Sequence, residues 1–152
     1  MSLSIGDTAP HFILNDQDGN KFDSKDHIGK KPLVLFFYPK DYTPGCTKEA
    51  CSFRDSYEEF TDRGAEVIGI SADSEASHRK FASSYKLPFI LLADTQNKVR
   101  RLFRVEKALF NLLPGRETYV IDKEGKVSMV FNSMGASQHI SKALKALKAL
   151  KK

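Results

Sequence analysis

Apolar residues fall along the chain in two rhythms, and the switches between them mark out its elements. Leu33 to Tyr38 (L-V-L-F-F-Y) is an unbroken apolar run short enough for a strand buried on both faces. Glu66 to Ala72 (E-V-I-G-I-S-A) is a second, β-branched strand, and Ile90 to Ala93 a third, shorter one. Between the first two, helical spacing takes over from Cys46 to Phe60, with Ala50, Phe53, Tyr57 and Phe60 on one face. Arg63-Gly64 closes that helix with a cation and then a glycine.

The remaining segments follow the same logic. Phe12 to Leu14 and Lys21 to Phe22 flank D-Q-D-G-N and predict a short hairpin. Ser74 predicts the N-cap of a helix running through Tyr85, which Leu87-Pro88 ends. Asp94 is placed to cap a helix from Thr95 to Phe103. Thr118 to Asp122 and Val127 to Phe131 predict a hairpin across K-E-G-K, and Ser137 opens a last helix. Neither a repeat nor a low-complexity stretch nor a second domain boundary interrupts the order, so residues 1–152 are expected to form a single domain.

Charge changes this picture little. The chain has 152 residues with 24 Lys and Arg against 19 Asp and Glu, a net charge of +5. Basic and acidic residues are interspersed, and no basic cluster is interleaved with aromatics, which speaks against nucleic acid. The exception is the tail from Lys142 to Lys152, where lysines and the leucines Leu144, Leu147 and Leu150 each recur every third residue. That pattern predicts a terminal helix docking an apolar stripe on the domain. No apolar run approaches the roughly 18 residues of a membrane span, and the N-terminus M-S-L-S-I-G-D has neither a basic nor an apolar leader segment. The sequence alone therefore points to a cytoplasmic protein, or to the mature form of a plastid one. The histidines His11, His27, His78 and His139 are scattered, match no ligand spacing and are expected at the surface; neither a metal nor a cofactor is implied.

Chemistry enters with P-K-D-Y-T-P-G-C-T-K-E-A-C, Pro39 to Cys51, which holds both cysteines. Cys46 follows a buried strand and opens a helix, where free backbone N–H groups and the helix dipole favour a thiolate. An ordinary thiol, with a pKa of about 8.5, is only a few per cent ionised at neutral pH, so such a site gives Cys46 its reactivity. Two cysteines five residues apart are not a disulfide scaffold; in a reducing compartment they read as redox or metal chemistry.

Pro39, Thr43 and Cys46 reproduce the P-x-x-x-T-x-x-C signature of the peroxiredoxins, and Cys51 is similar to the second cysteine of the bacterioferritin comigratory protein, or peroxiredoxin Q, branch. L-P-G-R-E-T-Y-V-I-D, from Leu113 to Asp122, resembles the segment that supplies that family's active-site arginine, here Arg116. The similarity runs from G-D-T-A-P-H-F-I-L at Gly6 to Leu14 through the final helix. It implies an α/β, thioredoxin-like fold with an added N-terminal β-hairpin and a central mixed sheet flanked by helices. The implied activity is reduction of hydrogen peroxide and organic hydroperoxides. Cys46 would become a sulfenic acid and Cys51 would resolve it to an intramolecular disulfide, which thioredoxin or a similar dithiol reduces. Thr43 and Arg116 would contact the sulfur and the peroxide, Pro39 would close one side of the pocket, and a monomer would suffice. Phe37, Tyr38 and Tyr42 are expected as core or pocket wall, and Phe110, Leu112 and Leu113 as either pocket lining or core.

Geometry limits the resolving step. On an ideal helix, Cα atoms five residues apart are separated by about 8.5 Å and their side chains diverge by roughly 140°, whereas a disulfide needs about 7 Å or less. The first turns around Cys46 to Cys51 must therefore unwind, which the polar residues Thr47, Lys48 and Glu49 would permit. Competing readings are a thioredoxin-like disulfide oxidoreductase, which normally uses C-x-x-C; a basic nucleic-acid or membrane-surface binder using the tail; and a redox sensor or holdase. The first leaves Thr43 and Arg116 without a role, and the second leaves the cysteines unexplained.

Overall fold

A computed structural model describes residues 2–105, 115–135 and 137–150. Seven strands form one sheet: β1 (Ile13–Asp16), β2 (Lys21–Asp23), β3 (Leu33–Phe37), β4 (Glu66–Ser71), β5 (Ile90–Ala93), β6 (Glu117–Ile121) and β7 (Val127–Asn132). Their spatial order is β2-β1-β5-β4-β3-β6-β7. The centre, β5-β4-β3, is parallel, as expected of strands linked by helices. β6 and β1 join it antiparallel on either side, each bringing its own hairpin partner. This is the thioredoxin-like plan with the N-terminal hairpin added. All five residues of β3 and of β6 are buried, which explains why β3 shows no alternation in sequence.

The helices are α1 (Pro44–Asp55), α2 (Tyr57–Asp62), α3 (Glu75–Tyr85), α4 (Lys98–Leu102) and α5 (Ser137–Ala149). The single helix expected over 46–60 is two: it begins earlier, at Pro44, and is interrupted at Ser56, whose N–H is shared between the Ser52 and Arg54 carbonyls. Pro44 has no N–H to lose at the first helical position, so starting there costs nothing. Ser74 caps α3 as expected, accepting from Ser77 N–H at 3.1 Å. Asp94 does cap α4, accepting from Val99 and Arg100 N–H groups, but Thr95 to Asn97 form a turn before the helix begins at Lys98.

Two apolar layers cover the sheet. One joins α1 and α5 to β3 through Phe36, Phe53, Ala50 and Leu147, with Cys46 among them. Phe53 stacks on Phe36 at 4.5 Å and seats α1 on β3; burying such a side chain stabilises the fold by about 1.5–3 kcal/mol. Gly69 on β4 is obligatory here, because a Cβ would lie 2.7 Å from the Phe36 ring and 2.8 Å from Leu91. The tail docks as its pattern predicts: Leu147 is buried, Leu144 and Leu150 pack beside it, and Lys142 lies over the Phe131 ring. No helix among the described residues is long and apolar enough to cross a membrane.

Candidate active site

Cys46 is the third residue of α1, just beyond the C-terminal end of β3, and is 1 % exposed. Thr43 precedes the helix in an extended conformation but makes no side-chain cap. Because the Thr43 side chain does not cap the helix, the amides of Gly45 and Cys46 remain for an anion at the helix end. The Thr43 hydroxyl instead donates to the Lys40 carbonyl at 2.9 Å. The expected hydrogen bond from Thr43 to the sulfur is therefore not made: the side chain is spent on closing its own turn. Pro39 is half-buried one residue past Tyr38. Tyr38 is a buried wall, but Tyr42 is 43 % exposed and Phe37 belongs to the layer on the opposite face of the sheet.

Arg116 is the sulfur's partner. It is 3 % exposed, and its Nη2 donates to Cys46 Sγ at 3.3 Å. Its Nη1 donates to Glu49 Oε1 at 2.5 Å and its Nε to the Met134 carbonyl at 3.0 Å. With all three nitrogens engaged, the guanidinium plane is fixed against the thiol. Burial works against the charge on Arg116, but the charges of Glu49 and Cys46 outweigh it and hold the group above its ordinary value. Gly45 admits the guanidinium: a Cβ there would lie 2.9 Å from Nη2.

Three residues that composition and spacing did not single out complete the site. Glu49, grouped in the sequence with the polar residues that would let the first turns unwind, is fully buried. Burial raises its carboxyl to about 7, with Arg116 opposing the rise. His139, also expected at the surface, is fully buried, with Nδ1 3.5 Å from Glu49 Oε2. Its Nε2 lies 2.8 Å from the Ser133 carbonyl, so the ring proton sits there and Nδ1 accepts from the Thr118 hydroxyl at 2.7 Å. Burial pushes this imidazole down to about 4. Arg100 donates to the Tyr38 and Gly115 carbonyls at 2.8 and 2.7 Å, tying together the residues that precede Pro39 and Arg116. The helical spacing 46, 49, 50, 53 carried the signal for Glu49, since it shares the buried face of α1 with Cys46, Ala50 and Phe53.

Cys51 is half-buried on the same continuous helix, and both cysteines are free thiols. His78 is the second buried histidine, in a cluster with Asp41 on the far side of the active-site turn. Among the described residues, Asp41, Asp73 and His78 are the one group whose ligand atoms lie close enough to share a metal, within 4.8 Å. Hydrogen bonds already occupy those atoms: His78 Nδ1 meets Asp41 Oδ2, and Asp73 Oδ2 accepts from Ser71 and the Asp41 amide. Phe110, Leu112 and Leu113 lie outside the described residues.

The sequence model of the AhpC/TSA family matches residues 5–130. Peroxiredoxin Q of Sedum lineare, a chloroplastic protein, is 54 % identical over 150 residues, covering 98 % of this chain and 80 % of its own length. The chain belongs to the peroxiredoxins. The Arabidopsis thaliana peroxiredoxin Q, also chloroplastic, is 56 % identical across 97 % of this chain and 68 % of its own. Among solved structures, the peroxidoxin BcpB of Mycobacterium tuberculosis superposes on this peroxiredoxin with a TM-score of 0.90 at 40 % identity, covering 99 % of each chain. The Xanthomonas campestris bacterioferritin comigratory protein, described in terms of its alkyl peroxide reduction activity, gives 0.83 at 33 % identity over 91 % of this chain and 90 % of its own. As a member of the family, this peroxiredoxin is a thiol-dependent peroxidase.

Proposed function

We propose that Cys46 is the peroxidatic cysteine and Cys51 the resolving one. The observation that carries this is the Arg116 guanidinium 3.3 Å from a buried thiol at an uncapped helix start. The Cys46 thiolate attacks the terminal oxygen of a hydroperoxide. The S–O bond forms as the O–O bond breaks, and the leaving oxygen takes a proton to become water or an alcohol. Arg116 and the amides of Gly45 and Cys46 hold the negative charge as it moves from sulfur to that oxygen. Pro39 and Thr43 act by shape, walling the entry and closing the turn. Hydrogen peroxide and organic hydroperoxides are the substrates, the latter in keeping with the alkyl peroxide reduction named for the Xanthomonas relative.

The Cys51 thiol then attacks the sulfenic sulfur and releases water, giving an intramolecular disulfide. α1 must unwind for this, because the intact helix holds the two Cα atoms about 8.5 Å apart. Thr47 and Lys48 leave readily, but Glu49 does not: opening the turn extracts it from Arg116. A dithiol protein such as thioredoxin restores both thiols through the sulfur exposed by unwinding. The reaction needs one chain and one domain, residues 1–152, acting as a monomer in a reducing compartment. A plastid, which the relatives' names carry, serves as well as the cytoplasm.

The test is single turnover. One equivalent of hydrogen peroxide should consume both thiols of the wild-type protein and leave a monomeric disulfide by intact mass. Cys46→Ser should abolish the reaction and Cys51→Ser should stop at sulfenic acid. Persistence of both thiols on the timescale of free cysteine would defeat the assignment.

A further inference from the structure

The turn from Pro39 to Thr43 is gripped from the side of α3, by groups that the peroxidase chemistry above does not use. Asp41 is 4 % exposed, and both its carboxylate oxygens are taken. Oδ1 accepts from the Tyr38 hydroxyl at 2.6 Å; Oδ2 accepts from Ser77 Oγ at 2.9 Å and lies 2.7 Å from His78 Nδ1. The Asp41 amide donates to Asp73 Oδ2 at 2.8 Å. His78 is fully buried, and its other nitrogen, Nε2, lies 3.0 Å from the Leu92 carbonyl on β5. A carbonyl only accepts, so Nε2 carries a proton and the ring is fixed between β5 and Asp41. The next residue, Tyr42, has φ of 68°, a left-handed conformation that costs a bulky residue energy and persists only where its surroundings impose it. Those surroundings are again α3: Tyr42 shares a hydrogen bond with Ser84 and sets its ring edge-on to Phe81.

We propose that His78 is a positioning residue for peroxide reduction, acting through Asp41 to hold the active-site turn in its strained shape. The coupling is short. Fixing Asp41 and Tyr42 places the Lys40 carbonyl that accepts the Thr43 hydroxyl, and the Thr43 carbonyl accepts the first backbone bond of α1, from Thr47 N–H at 2.8 Å. The amides of Gly45 and Cys46 lie inside that turn. His78 touches neither sulfur nor peroxide; it sets where the helix that presents them begins. This rests on Cys46 being the peroxidatic cysteine.

The experiment compares two rates on each variant: oxidation of Cys46 by hydrogen peroxide and its alkylation by iodoacetamide. Peroxide reduction demands an aligned pocket, whereas alkylation demands only an accessible thiolate. Asp41→Ala and His78→Ala should slow peroxide oxidation about tenfold or more, as expected of displaced reacting groups, while alkylation changes less than about threefold. Asp41→Asn should rescue. Its Oδ1 still accepts from Tyr38, and its amide can donate to Nδ1 of a neutral His78 that keeps its proton on Leu92. That variant should oxidise within about threefold of wild type, because the lost charge removes no hydrogen bond from the turn. Should the alanine variants fail to fold, Tyr38→Phe combined with Ser77→Ala removes two proton donors to Asp41 with little change of volume, and should slow peroxide oxidation selectively. Folded variants with the wild-type peroxide rate, or peroxide and alkylation rates falling in step, overturn the proposal, as does an Asp41→Asn protein as slow as Asp41→Ala. Failure of the underlying assignment looks different: wild type itself would then react no faster than free cysteine.

Discussion

Two buried polar clusters flank the active-site turn, each built around a histidine, and they are satisfied to different degrees. Around His78 every acceptor has a donor: both Asp41 oxygens, the Leu92 carbonyl and Asp73 Oδ2 are engaged. Around Arg116, Glu49 Oε2 has no hydrogen-bond partner among the described residues and faces His139 Nδ1 at 3.5 Å. The first arrangement is what a scaffold requires, since a fully satisfied buried network is rigid. The second leaves a carboxylate oxygen unpartnered beside the sulfur proposed to react, in the segment that the proposed disulfide would require to open. Stability and reactivity are divided between the two sides of one turn, and the division can be attacked experimentally.

The largest effect is expected from Arg116→Met. Removing the donor to the sulfur should lower the rate of Cys46 oxidation by about 10²–10³-fold, the usual loss for one preorganised charge-stabilising donor. It also leaves Glu49 as an uncompensated buried carboxylate, worth about 3–5 kcal/mol of stability when ionised. That loss should appear only at alkaline pH in urea melts and shrink as the pH falls, because without Arg116, which opposes the rise, burial lifts the Glu49 carboxyl above its present value of about 7. A variant that keeps its peroxide rate within tenfold of wild type would remove Arg116 from the chemistry and make the two clusters equivalent.

Glu49→Gln probes the opening step. Gln still accepts from Arg116 but without charge, which weakens the bond by about 1 kcal/mol. Backbone amides from Cys46 to Cys51 should then exchange roughly fivefold faster, and disulfide formation after the sulfenic acid should accelerate, while peroxide attack slows because the guanidinium is less firmly held. Unchanged exchange would show that Glu49 does not latch α1.

How much of this was readable beforehand follows from what each residue's neighbours in sequence reveal. β3 and β4 were legible because strands buried on both faces must be apolar throughout. Cys46 and Arg116 were legible because a family motif ties them together across 70 positions, although nothing local marks an arginine as buried. Glu49, His78 and His139 were missed for one reason: polar residues were assigned to solvent by type, although their helical phase places them inward. His78 shares a buried face of α3 with Phe81, and His139 precedes buried Ile140 and lies one turn before Ala143. What no local pattern reveals is the partner from another element that makes such burial tolerable: Asp41 for His78, and Thr118 and the Ser133 carbonyl for His139. The misread role of Thr43 is of the same kind, since the motif does not say which acceptor its hydroxyl meets and only the turn geometry selects the Lys40 carbonyl.

The third test is a pH dependence with opposed signs. The imidazole of His139 is held at about 4 against an ordinary 6.5. Its contribution to stability is therefore full above pH 6.5 and is lost as the pH falls toward 4. The Glu49 carboxyl is raised from 4.5 to about 7; its contribution is full below 4.5 and is lost as the pH rises through 7. Between pH 4.5 and 6.5 the two oppose each other, flattening the wild-type profile. In His139→Gln only the Glu49 half remains, so the variant should gain on wild type by about 2–3 kcal/mol between pH 7 and 4.5, whatever fixed offset separates them at pH 7. A pH-independent difference in urea melts would mean that His139 takes its proton as readily folded as unfolded.

The smallest change separates the two properties most cleanly. Gly45 is the second residue of α1, in ordinary helical conformation, so an alanine there costs no backbone strain and should stabilise the helix by up to about 1 kcal/mol. Its Cβ, however, would sit 2.9 Å from Arg116 Nη2, the atom that donates to Cys46. A free arginine would swing aside at little cost, but this one is held by Glu49 and the Met134 carbonyl, so it must yield by a few tenths of an ångström against both. Gly45→Ala should thus keep or raise the melting temperature while slowing Cys46 oxidation by roughly three- to tenfold, in line with the sensitivity of aligned reacting groups to small displacements. A protein that gained stability and kept its peroxide rate would show that the guanidinium tolerates displacement and that charge alone, without alignment, is what Arg116 brings to the sulfur.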